Sequence, residues 1–329
     1  MSSVPGTIVA ALAWLGQQGT RAVAAVVFLG LALPGVDAVL KPHVSEAIFA
    51  LLCIAFLRVE PDVLGRQLKR PGVVVAATLW SMLVIPSLFG AACLLTGIDR
   101  SSPDLHLGLM LQAMASPMMS APVFAALMGL DTTLVLVTMV ASTALTTATA
   151  PLFAWLFVGP ALQLSPAALG VRLSLILAGA LTVAVSLRRL VGPAAIRRWK
   201  EPIDGFNVII LYVFVGAVME NVGARVMTDT WRMAGLAALA FATVLVVLAL
   251  TTAAFARTGA SRAFALGLMA SQRNMGLMLA ATSRDLPDLV WLYFAFCQFP
   301  IYLLPQLLKP LARRFARADA KMKAAPGAS

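Results

Sequence analysis

Residues 264–281 read FALGLMASQRNMGLMLAA, an apolar stretch with Ser271-Gln272-Arg273-Asn274 at its middle and no acid beside the arginine. A guanidinium at membrane depth costs roughly 2.5–3.5 kcal/mol unless protein, water or a ligand solvates it. Charged residues in such a position mark pathways for polar solutes. Arg273 therefore predicts a passage for something polar and anionic.

The rest of the chain decides that this stretch belongs in a membrane. Hydrophobic residues make up 60% of the 329, charged residues 12%, and the mean hydropathy is +0.91. A soluble domain carries about 25% charged residues. Ten apolar spans are read at about 21–40, 44–58, 72–95, 104–128, 131–157, 167–187, 204–222, 231–256, 263–283 and 288–308. Prolines and glycines fall inside them, as in membrane helices and not barrel strands. The fold class predicted is an all-α polytopic membrane protein.

The net charge of +11 suggests nucleic acid only until the cations are located. They sit in short loops: Arg58, Arg66, Lys69 and Arg70 after span two, then Arg188, Arg189, Arg197, Arg198 and Lys200 after span six. Arg257 and Arg262 follow span eight, and Lys309, Arg313, Arg314, Arg317, Lys321 and Lys323 follow span ten. The opposite loops hold Lys41, Arg100, Arg172, Arg225, Arg232 and Arg284. Seventeen against six places both termini in the cytoplasm of a cell (inner) membrane and excludes a nucleic-acid partner. The partners expected are the lipid bilayer and a small-molecule organic anion, with the protein a monomer or homodimer.

Five spans per half invert the second half relative to the first, as in many secondary transporters. Residues 1–160 form the first repeat and 161–315 the second, and 316–329 read as a disordered basic tail. The stretch Thr7–Leu15 reads as an interfacial helix, and Glu60–Arg70 as another along the cytoplasmic surface. Interrupted spans at matching positions of two such repeats mark the transport site. Span four carries Ser116-Pro117-Met118-Met119-Ser120-Ala121-Pro122, and two prolines five residues apart predict an unwound helix. Span nine carries the polar run at the same depth.

The candidate substrate residues are Arg273, Asn274, Gln272, Ser271, Ser116 and Ser120, with Thr143 and Thr146 from a hydroxyl-rich span five and Asn207 from span seven. A broken helix frees carbonyls and N–H groups for ligands. The competing role for Arg273 is internal pairing with those carbonyls, and for the amides and hydroxyls interhelical or back-bonded hydrogen bonds. Gln112, Gln298, Glu46 and Glu220-Asn221 are further polar residues in or near spans, and Pro34-Gly35, Pro86, Pro300 and Pro305 read as kinks. Cys53, Cys93 and Cys297 lie singly, with no metal spacing. No HExxH, GxSxG or P-loop is present, so no enzyme, cofactor or metal is expected.

The run SPMMSAPVFAALMGLD at 116–131, the segment ASQRNMGLMLA at 270–280, PGVDAVL-KP after span one and LRVEPDVLGRQLKRP at 57–71 resemble the bile acid:sodium symporter family. The resemblance covers nearly the whole chain. It implies a panel domain of spans one, two, six and seven, and a core domain of the others in which discontinuous spans four and nine cross. It also implies organic anions as substrates, bile acids or smaller carboxylates, usually moved with sodium.

The chain departs from that pattern where the family holds sodium. Met269 stands for its glutamate and Arg273 for the glutamine of its Gln-Asn pair, while Asn274 is kept. Ala121 and Pro122 replace the Ser-Asn ligands, and Val135 and Met139 the span-five hydroxyls. Alkyl and thioether groups offer a hard cation no oxygen, so sodium coupling is expected to be lost, with Arg273 in the cation's place. The alternatives are a sodium-coupled symporter with a rearranged site, an arsenite-type oxyanion efflux carrier, and a non-transporting receptor. The arsenite carriers have a span-four cysteine, which is missing between Asp104 and Met128 here.

Overall fold

A computed structural model describes residues 4–18, 22, 25, 28, 39–59, 71–219, 222–282 and 286–324. Most of span one, the stretch 60–70 and the pair Glu220-Asn221 lie outside the described residues. The described chain is all-helical, with no strand. We number its main helices α1 (Val4–Gln17), α2 (Val44–Arg58), α3 (Pro71–Thr96), α4 (Pro103–Met114), α5 (Ala121–Met128), α6 (Thr132–Phe153), α7 (Pro166–Val191), α8 (Lys200–Val218), α9 (Thr230–Ala254), α10 (Ala260–Ser271), α11 (Met275–Ala281), α12 (Asp288–Leu307) and α13 (Lys309–Ala324).

Among the described residues, six helices are long and apolar enough to cross a membrane: α3, α6 with its extension to Ala161, α7, α9, α12 and the one that starts at Lys200. At 1.5 Å per residue, the 26 residues of α3 or α7 reach about 39 Å, more than a hydrocarbon core of about 30 Å. Their outer faces are apolar as well. Leu95, Val171, Leu175, Leu190, Val246 and Leu250 are all exposed, which water would penalise and lipid does not. Exposed Trp155 and Trp231 sit at one end of the helices and Trp199 at the other, where amphipathic rings favour the two interfaces. The protein is a helical, multi-pass membrane protein.

The helices pack as two groups, joined by α6 of the second against α7 of the first. In the first, α2 lies against α7 and α8, and α1 runs along α8. In the second, α6 packs on α3, α5 and α10, α9 on α10 and α12, and α12 on α4. Sequence sets the local stops. Asp131 caps α6 by accepting from the Leu134 N–H (3.1 Å), and Ser165 caps α7 through Ala168 (3.2 Å). Gly129 ends α5 at φ +72°, in the left-handed region that a side chain disfavours.

Two local expectations differ from the structure. The helix Val4–Gln17 is antiparallel to α8 instead of lying apart on the interface: Leu12 meets Gly205 and Gly16 meets Glu201. The two glycines have no side chain to hold the helices apart, so the backbones touch, and Gln17 closes the pair with a hydrogen bond to Glu201 (2.9 Å). The chain is also helical as far as Ala324, where composition alone predicts disorder from residue 316. The reason is that α13 is amphipathic and rests its apolar side on α10.

A Gly205→Leu substitution is expected to destabilise the protein by about 1–3 kcal/mol, because the new side chain overlaps the Leu12 carbonyl. Gly235, with open space around it, should accept Ala without loss. Thermal unfolding in detergent checks both, and equal midpoints for the two variants would contradict the close crossing.

Candidate functional site

Both interruptions expected from sequence are present, and they touch. The first separates α4 from α5, where Ala115 turns to extended backbone (ψ 146°) and Pro117 has no N–H to continue a helix. The second separates α10 from α11, where Gln272 is extended (φ −88°, ψ 98°). The two extended pieces pair as a single antiparallel bridge between Pro117 and Arg273. The Met118 N–H donates to the Gln272 carbonyl and the Asn274 N–H to the Ser116 carbonyl, both at 2.7 Å. Each break thus satisfies polar groups that the other exposes, which is what buried backbone demands.

Arg273 is 3% exposed and turns into the second helix group. Its Nη1 donates to the Ala115 carbonyl (2.9 Å) and the Ser81 Oγ (3.2 Å), and its Nη2 to the Ser81 carbonyl (3.1 Å). Ala115 supplies a carbonyl because α4 ends there. The Ser81 carbonyl is available for a different reason. In α3, residues Trp80–Val84 form a π-turn, in which the Ile85 N–H reaches back five residues to Trp80. The next residue, Pro86, has no N–H to give to Ser81. The guanidinium supplies that missing donor. Among the described residues three oxygens and no carboxylate hold it, the ligand set of a bound cation more than of an ion pair.

The other candidates divide into structural and unpartnered groups. Asn274 is half-buried and its Oδ1 accepts from the Leu277 N–H (3.1 Å), capping α11. Ser271 and Thr143 bond back to Leu268 and Met139, and Thr146 to Ser142 and the Met82 sulfur. Ser116 and Ser120 have buried hydroxyls with no partner, and Gln272, fully buried, has neither amide atom bonded. Asn207 is half-buried on α8, in the other helix group. Of the further polar residues, Gln112 accepts from the Tyr293 hydroxyl, which also meets Thr243 (3.3 Å), and Gln298 bonds its own helix. Glu46 is exposed.

The crossing therefore has two faces. Arg273 occupies the one toward α3. The other is toward α2 and α8 at Gly276, and Met118, Met119, Ser120 and Asn274 of the crossing are half-buried too. A side chain at Gly276 would stand 3.3 Å from Phe214 and 3.5 Å from Ile48, so the two helix groups meet there. Sequence reading missed Ser81 altogether. Its signal was Pro86, five residues on, which reads as a kink but in fact frees a carbonyl.

No family model matches this chain, and no curated protein sequence matches it.

Replacing Arg273 by Met leaves the carbonyls of Ser81 and Ala115 buried without donors, at about 1–3 kcal/mol each. The melting midpoint should fall sharply for Arg273→Met, partly for Arg273→Lys, and by only about 1 kcal/mol in stability for Ser81→Ala. An Arg273→Met protein as stable as the parent would remove the guanidinium from its structural role.

Proposed function

We propose that this protein is a secondary transporter of an organic anion, a bile acid or smaller carboxylate, in the cell membrane and built as the bile acid:sodium symporters are. In this reading the chain crosses the bilayer ten times as two inverted five-helix repeats. The first helix group, with span one, is the panel, and the second is the core. The observation that carries the proposal is the crossing of two interrupted helices around a buried guanidinium held by oxygens alone.

That arrangement accounts for the missing sodium ligands. A guanidinium fixed where oxygens converge supplies permanently the charge that a bound cation would supply transiently. Its positive potential extends to the half-buried face at Ser120 and Asn274, beside the start of α5, whose dipole adds to it. An anion there needs no co-transported cation, so the carrier works as an exchanger or facilitator.

The links between helices support alternating access. At one end they join the two groups: Arg172 on α7 donates to the Ala281 carbonyl closing α11 (3.4 Å), Lys41 lies over the Trp291 ring (5.8 Å), and Arg225, in the short helix Val222–Thr228 that leads from α8 to α9, pairs with Asp288 of the core (3.0 Å). At the other end, three links among the described residues lie within a group. Arg58 pairs with Asp204 (2.5 Å) and Arg188 reaches the Leu57 carbonyl (2.8 Å) in the panel, while Arg262 pairs with Asp131 (3.4 Å) in the core. In this reading, with the cations facing the cytoplasm, these links hold the outward end closed. The cavity of about 100 Å³ beside Lys41, Arg225, Asp288 and Trp291 belongs to this closed end and is too small for a bile acid.

Proteoliposomes test the proposal. Uptake or exchange of labelled taurocholate and short carboxylates should be unchanged when a sodium gradient is replaced by potassium. Uptake that climbs with the sodium gradient would overturn the cation-substitute role, and no movement of any such anion by a folded protein would overturn the transport reading. Exposed ion pairs contribute about 0–1 kcal/mol, so Asp288→Asn should shift the conformational balance outward roughly two- to five-fold. Labelling of a cysteine introduced at Ser120 by an impermeant reagent added outside reads that shift.

A further inference from the structure

Helix α13 carries a pattern that the transport site does not use. Lys309, Arg313 and Arg317 follow one another at four-residue intervals, so they form a single row along one face, with Arg314 beside it. Like charges four residues apart repel and destabilise a helix. Asp319, the acid within α13, is not three or four residues from any member of the row. Leu308, Leu311 and Phe315 fall on the opposite face by the same register. A helix that keeps such a row has an external source of negative charge.

The apolar face shows where that source must lie. Ala312 is fully buried, and the Phe315 ring packs on Phe264 of α10 with centroids 5.3 Å apart. Helix α13 also touches α5. Arg313, Arg314 and Arg317 are exposed on the side turned away from these contacts. The loop topology expected from the sequence puts Arg189, Arg197, Arg198 and Arg257 on the same side of the membrane. Helix α13 begins where α12 leaves the apolar zone, so its cationic row stands at headgroup depth.

We infer that α13 is a docking surface for anionic phospholipid, its cation row binding headgroup phosphates of the leaflet on that side. Because its apolar face rests on α5 and α10, bound lipid anchors the near halves of both interrupted helices. A consequence, which rests on the transport reading, is that anionic lipid sets how readily the core moves.

Lipid retention tests the docking without any substrate. Purified full-length protein is equilibrated with mixed micelles of phosphatidylglycerol and phosphatidylcholine, and the lipid retained is measured by mass spectrometry. Each cation at an anionic surface strengthens association roughly five-fold. The parent should prefer phosphatidylglycerol, and Arg313→Gln/Arg314→Gln/Arg317→Gln should lower that preference about ten-fold or more. Arg189→Gln/Arg197→Gln/Arg198→Gln, with the same loss of charge on the same side of the membrane, should keep it. Equal loss in both triple variants, no preference in the parent, or displacement by inorganic phosphate beyond that by chloride at equal ionic strength overturns the proposal. Uptake into vesicles with and without phosphatidylglycerol is measured separately. Retention without any uptake leaves the docking surface standing and removes the transport reading, whereas uptake without selective retention does the reverse.

Discussion

A positive charge without a carboxylate partner has to be held by dipoles, and the structure around Arg273 follows from that requirement. The guanidinium needs several oxygen acceptors converging at one point in an apolar interior. Continuous helices offer none, since their carbonyls are already bonded. Here one helix ends at Ala115 and another has its hydrogen-bond ladder shifted by a π-turn before Pro86. Each irregularity would cost stability alone. Together with the guanidinium they close three hydrogen bonds.

The same economy operates between the two interrupted helices. Neither extended segment has a sheet to join, so each completes the other through the pair of 2.7 Å backbone bonds. Apolar packing then follows the division into groups. One buried cluster surrounds the near halves α5 and α10 together with α3, α6 and α13. The other joins α2, α7 and α8 to α4, α11 and α12. The far halves of the interrupted helices are thereby packed against the first helix group, and the near halves are not. Close packing is thus continuous across the boundary on the side of the far halves, while the near halves belong to a separate cluster.

Much of the fold was legible in the chain because membrane helices are local objects. Apolar run length, loop cations and proline spacing depend on a few consecutive residues, and they located the long helices and both interruptions. Amphipathic register is equally local, yet α13 reads as a disordered tail by composition, since its helix is held by an apolar contact with Phe264 that no window of sequence contains. The close approach of α1 to α8 was hidden for a similar reason. Gly16 and Gly205 are ordinary glycines until the two helices are brought together.

The candidate site divides along the same line. That Arg273 is costly, that the helix breaks within the stretch before Pro122 and that no acid stands beside Arg273 in the chain are properties of sequence alone, because burial in an apolar span and the loss of a proline N–H are decided by neighbours along the chain. Which way the guanidinium points was decided only by tertiary structure. Sequence left it free to face a ligand or to face inward, and the balance turned on a carbonyl of Ser81, 192 residues away. A hydrogen bond forms wherever an unmet donor meets an unmet acceptor, and only the packed helices determine which of those meet.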